Sequence, residues 1–85
     1  MAANMKIPEE EKLKLSRYIK AKVQEEGETV KGVVDRMNEI YKDRTEYLPG
    51  TINQINAANM PYWKIVRFAA ALGYEIKWER KNSDE

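Results

Sequence analysis

Residues 29–61, TVKGVVDRMNEIYKDRTEYLPGTINQINAANMP, decide the fold. In their first part Val30, Val33, Val34, Met37, Ile40 and Tyr41 recur at the three- and four-residue intervals that put side chains on one face of an α-helix. Thr29 stands where that helix needs an N-cap, with a hydroxyl that accepts from an otherwise unpaired backbone N–H. Gly32 lies inside the helix at a cost of roughly 1 kcal/mol relative to alanine, which we read as room for a neighbouring helix to approach. The run KDRTEYLPG, residues 42–50, has no period and ends on Pro49-Gly50, so it reads as a loop. A short helix follows over residues 49–58. Ile52 and Ile55 are its core-facing pair, while Thr51, Asn53, Gln54 and Asn56 are polar without charge. Asparagine is a poor helix former because its amide competes for nearby backbone groups, so its density here calls for a reason beyond local stability.

Outward from this stretch the periods stay clear. Upstream, Pro8 and the acids Glu9, Glu10 and Glu11 suit the first turn of a helix, where a missing N–H costs nothing and the dipole favours negative charge. Leu15, Ile19 and Val23, with Leu13 and Tyr18 beside them, form its apolar stripe, and Gly27 is its C-cap candidate. Downstream, Pro61 opens a fourth helix over residues 62–72, with Ile65, Phe68, Ala69 and Leu72 inward and Gly73 just past its end. The period then changes. Tyr74, Ile76 and Trp78 alternate with Glu75, Lys77 and Glu79, which predicts a strand over 74–79, and residues 80–85 read as a frayed tail. We therefore expect a single domain over residues 1–85 with its core at about 9–79.

Composition narrows the function. The chain has 85 residues, no cysteine, no histidine and a formal net charge of +1. No disulfide, thiolate nucleophile, Ser-His-Asp triad or His-ligated metal can be built from it. No run approaches the roughly 20 apolar residues of a membrane span, and MAANMKIPEEEK lacks the apolar region of a secretory signal, so the expected setting is the cytoplasm. No glycine-rich loop follows a strand to cradle a phosphate, and the carboxylates fall at solvent-face spacing. We expect no enzyme, no cofactor and no metal, but a domain that works by binding. A polar, uncharged helix after an amphipathic one suits a DNA reader, since Asn and Gln amides both donate and accept and so match adenine. The same residues also serve as a solvated helix face, with Asn59 closing it.

From GETVKGVVDRMN through TINQINAANMP to IVRFAAALGYEIKW the sequence resembles the Xre/Cro-type (phage-repressor-like) helix-turn-helix domains, over roughly residues 18–78. Gly27, Thr29, Val33-Val34 and Met37 match the opening of the family's scanning helix, Ile52 and Ile55 the core pair of its recognition helix, and Phe68-Ala69 with Leu72-Gly73 its following I-A-x-x-L-G. The resemblance implies a mainly α, four-to-five-helix lambda-repressor-like helix-turn-helix domain with a short C-terminal β-strand. It implies a bacterial or phage regulator that reads an operator in double-stranded DNA as a homodimer. The chain departs from the pattern at Val34, where the family has alanine, at Val30, where it favours glutamine, and in its longer inter-helix loop. Pro49 and Gly50 also occupy positions where the family reads bases, so that if DNA is bound either Thr51, Asn53, Gln54 and Asn56 carry more of the readout or loop residues Lys42 and Arg44 help.

The phosphate candidates are Lys31, Lys42, Arg44 and Lys64. The last is implied by the family's following helix, and residues 62–81 carry Lys64, Arg67, Lys77, Arg80 and Lys81 against only Glu75 and Glu79. The predicted strand needs a partner for its backbone groups: Met5-Lys6-Ile7 of the same chain, or its own copy across a two-fold axis. We favour the copy, with Tyr74, Ile76 and Trp78 as the interface. The competing expectation is a protein-interaction module on the same scaffold, an antitoxin, phage inhibitor or adaptor without DNA binding. It is suggested by the modest charge and by Tyr47, Tyr62 and Trp63.

Overall fold

The computed structural model of the chain describes residues 7–81. Four helices follow one another: α1 Glu9–Glu25, α2 Val30–Ile40, α3 Leu48–Ala57 and α4 Tyr62–Ala71. Helix α1 lies against α3, and α2 packs on both α3 and α4. No described helix is long and apolar enough to cross a membrane.

The caps explain where each helix begins and stops. Thr29 is extended at φ −123°, and its Oγ1 accepts from the Gly32 N–H at 3.0 Å, as the sequence led us to expect. Helix α1 ends with Glu28 N–H donating to Val23 O and Gly27 N–H to Gln24 O, and α4 ends with Tyr74 to Ala69 and Gly73 to Ala70. Both are Schellman closures, which need a left-handed residue, and Gly27 and Gly73 have φ of +70° and +93°. Helix α3 closes in the same way through Asn59 to Gln54 and Ala58 to Ile55, but the left-handed residue there is Ala58 at φ 55°. An alanine in that region carries a steric cost that a glycine escapes.

The core is Val23, Val33, Met37, Ile55, Met60, Phe68, Ala71 and Leu72, with Val34 buried beside it. Two helices present a different face from the one their apolar residues suggested. In α1 the buried positions are Ser16 and Val23, with Ile19 half-buried, while Leu13 and Leu15 are exposed. In α3 Ile55 is buried as expected, but its partner is Thr51 at 0% exposure, and Ile52 is 37% exposed. Thr51 fits because its hydroxyl donates to Tyr47 O at 2.9 Å, so no polar atom is stranded.

The glycine in α2 makes room for a side chain and not for a helix. A Cβ on Gly32 would stand 2.9 Å from Glu28 Oε1. The Glu28 carboxylate crosses that gap to reach Arg36 at 2.8 Å, and Arg36 Nη1 donates to the Ala71 carbonyl at 2.7 Å. A cation thus meets the carbonyl end of α4, where the helix dipole favours it.

The predicted strand does not form: residues 74–81 are without regular structure, and no strand occurs among the described residues. Among the described residues no second extended segment lies alongside to pair its backbone. Met5 and Lys6 of the intramolecular alternative lie outside the described residues. Tyr74 is instead held to α1, its hydroxyl donating to Glu26 Oε2 at 2.6 Å. That bond, then burial, pushes the Tyr74 pKa up to about 12. Lys22 Nζ sits over the rings of both Tyr74 and Tyr18, at 5.2 and 5.5 Å. Ile76 lines an apolar groove of about 190 Å³ with Tyr18, Ile19, Ile65 and Phe68. Trp78 is 89% exposed.

Candidate functional site

Helix α3 and the loop before it, residues 41–47, form the candidate site. The loop is shaped by a two-way clamp from α2. Asn38 Nδ2 donates to the Glu46 carbonyl at 3.0 Å, and the Glu46 N–H donates to Asn38 Oδ1 at 2.7 Å. This seats the Glu46 side chain inside the protein at 6% exposure. A buried carboxylate needs a cation. Lys64, itself 5% exposed, supplies one from the first turn of α4, with Nζ 3.0 Å from Oε1. Arg44 Nε lies 2.8 Å from Oε2, an ionic contact off the N–H direction that leaves Oε2 without a directed hydrogen bond.

Lys64 also donates to Gln54 Oε1 at 2.7 Å, which ties α4 to α3. Lysine has no acceptor, so the amide presents its oxygen to Lys64. Beyond this hub Arg67 makes a two-pronged pair with Asp43, both bonds 3.0 Å. The Arg67 hydrogen bond is the main cause that holds the Asp43 carboxyl below its usual pKa, and in return Asp43 raises that of Arg67. Arg67 stacks on Tyr41 at 4.3 Å, and Trp63 receives Arg44 on its ring at 4.7 Å and Arg67 at 5.7 Å. Asp43, Arg44, Trp63 and Arg67 together line an open surface hollow.

The proposed readers separate into three kinds. Asn53 and Asn56 are exposed on α3 and make no side-chain hydrogen bond among the described residues. Gln54 is half-buried with its oxygen already engaged. Thr51 is fully buried, so it cannot touch a base edge; its place is in the core. The phosphate candidates also divide. Lys64 is corrected outright: it is a buried counter-ion, because the position that points outward by family analogy here faces the Glu46 carboxylate. Lys31 is exposed and pairs with Asp35 at 2.9 Å. Lys42 is exposed with no ion pair among the described residues, and Arg44 is exposed over Trp63. Of the interface candidates, Tyr74 and Ile76 have partners within the chain, and Trp78 alone is uncovered.

Asn38, Glu46 and Arg67 were not singled out in the sequence. Only Arg67 left a signal there, as part of the positive excess after residue 61. No family model, curated protein or solved structure matches the chain.

Proposed function

We propose that the chain is a DNA-binding regulator of the helix-turn-helix type, reading duplex DNA through α3. The observation that carries this reading is the outward face of α3. It presents the unengaged amides of Asn53 and Asn56 beside Pro49, Gly50 and Ala57, with no charged residue anywhere on the helix. Such a face enters a major groove without electrostatic conflict and offers donors and acceptors to base edges. Cations lie in the preceding loop, Lys42 and Arg44, and on α4, Arg67, while Lys64 neutralises Glu46. Phosphate contacts from such cations position the helix, and the amides specify sequence.

Few phosphate contacts make a monomer a weak binder, so the operator-binding form is a homodimer that reads two half-sites about one helical turn apart. The exposed Trp78 and the unpaired segment 74–80 support that assembly, since both would gain a partner in it. The test is selection from a random-sequence duplex library, followed by a gel-shift titration at low salt. Asn53→Ala and Asn56→Ala are expected to weaken the selected duplex by about 1–3 kcal/mol each while leaving mixed-sequence binding unchanged. Failure of the wild-type chain to retard any duplex at micromolar concentration refutes the reading.

A second reading is favoured by the aromatic side chains Tyr47, Tyr62 and Trp63, all exposed near the starts of α3 and α4. Exposed aromatics of this kind are enriched in protein interfaces. On that reading the same surface docks a protein partner, and Tyr47→Ala abolishes its capture while DNA binding is absent throughout.

A further inference from the structure

The acidic residue at the centre of the site sets the geometry of a cation. Glu46 is buried, and its Oε1 is neutralised by buried Lys64 at 3.0 Å. Its Oε2 faces Arg44 Nε at 2.8 Å. The flat guanidinium of Arg44 lies over the Trp63 ring at 4.7 Å, so it is held from one side by charge and from another by an aromatic face. Yet Arg44 spends no directed hydrogen bond on any described residue, and its side chain is 52% exposed. Arg67, by contrast, has committed both terminal nitrogens to Asp43. Arg44 is therefore the one arginine of this cluster whose terminal donors are both immobilised and unspent. A planar fork of donors held in this way matches two oxygens of a phosphate, and prior immobilisation removes part of the ordering cost of binding.

We propose that Arg44 is a pre-oriented donor for a phosphodiester of the nucleic-acid backbone, and that Glu46 is the positioning residue that holds it there. The inference rests on the DNA reading above and goes beyond it by giving a carboxylate a favourable role in binding a polyanion. Lys42 adds long-range attraction, whereas Arg67 and Asp43 neutralise one another. The consequence runs against simple charge counting. Glu46→Gln removes one negative charge and so raises the net charge by one, which on electrostatic grounds alone tightens DNA binding. If Glu46 positions Arg44, the same change loosens the guanidinium and weakens binding.

The experiment measures the affinity of a short mixed-sequence duplex by fluorescence anisotropy at low and moderate salt, for wild type, Glu46→Gln and Arg44→Lys. Arg44→Lys keeps the charge and loses the planar fork and the stacking. Both variants are expected to bind roughly three- to tenfold more weakly than wild type. Tighter binding by Glu46→Gln, or wild-type affinity in Arg44→Lys, overturns the proposal. Should Glu46→Gln fail to fold by circular dichroism, Arg44→Lys decides alone. Should wild type bind no duplex, the same variants are titrated with inorganic pyrophosphate in a Trp78→Phe background, where Trp63 is the sole tryptophan. A change in Trp63 emission that Arg44→Lys removes keeps the oxyanion site while the DNA reading falls. No change in emission overturns both.

Discussion

Replacing Lys64 with methionine tests the arrangement on which the candidate site depends. The substitution keeps most of the side-chain volume, so little cavity forms, but it removes the cation 3.0 Å from a carboxylate that is 6% exposed. Removing one partner of a buried ion pair costs about 3–5 kcal/mol, because the remaining charge is left in a poorly solvating interior. Arg44 stays 2.8 Å from the other oxygen and offsets part of this, which brings the expected loss to roughly 2–4 kcal/mol. For a domain of this size each kcal/mol moves Tm by about 4–8 °C, so a fall on the order of 10–25 °C is expected. The assay is thermal and urea unfolding followed by circular dichroism. The double variant Lys64→Met with Glu46→Met should recover most of the loss, since a well-packed apolar pair replaces a buried ionic one at little net cost. Were Lys64 a solvent-facing phosphate contact, its removal would change stability by no more than about 0.5 kcal/mol. A Tm within about 3 °C of wild type would therefore refute the buried-pair reasoning.

Further outcomes follow from the same structure. Thr51→Ala should destabilise by about 1–2 kcal/mol, as it removes a fully buried methyl and the hydroxyl bonded to Tyr47 O, whereas Asn53→Ala should stay within about 0.5 kcal/mol in the same unfolding assay. Ala58→Gly should raise stability by about 0.5–1 kcal/mol, the relief of a left-handed alanine outweighing the added chain entropy, and a lower Tm would count against the α3 closure described here. In a tyrosinate absorbance titration Tyr74 should ionise above the ordinary tyrosine value of 10, at about 12. Because its pKa is raised, its contribution to stability is complete below the ordinary tyrosine value of 10 and is lost as pH climbs toward about 12; Tyr74→Phe should remove that alkaline step. For Asp43, whose pKa is lowered, the sign is opposite: its contribution is present above 3.8 and lost as pH falls through the depressed value, so Asp43→Asn should flatten acid unfolding slightly. In sedimentation equilibrium, Trp78→Ala should leave Tm unchanged and shift any dimer toward monomer.

Much of the local structure was legible in the sequence. Thr29 as an N-cap, Gly27 and Gly73 as left-handed closures, and the inward row Val33, Val34 and Met37 all depend on near neighbours along the chain, and all form as expected. The failures have one physical source. Ile52, Leu13 and Leu15 are as apolar as Ile55 and Val23, and only the direction from which neighbouring helices approach makes one set core and the other surface. The strand predicted from Tyr74, Ile76 and Trp78 was a fair reading of alternation, but a strand is a property of two segments, and the described residues hold one.

The candidate site divides along the same line. From sequence alone came a short, uncharged, amide-rich helix after an amphipathic one, and with it the expectation of binding in place of chemistry. The absence of His and Cys, and the amides at Asn53 and Asn56, needed no coordinates. Tertiary structure alone decided which polar residues are surface. It buried Thr51 and Lys64, brought Glu46 to Lys64 across 18 residues of chain, and laid Arg44 and Arg67 on Trp63. Charge and hydrogen-bonding capacity belong to the residue, but burial and counter-ions are set by the packing of helices distant in sequence. A lysine on an open surface is free to meet a phosphate, whereas Lys64 beside a buried carboxylate is a structural counter-ion.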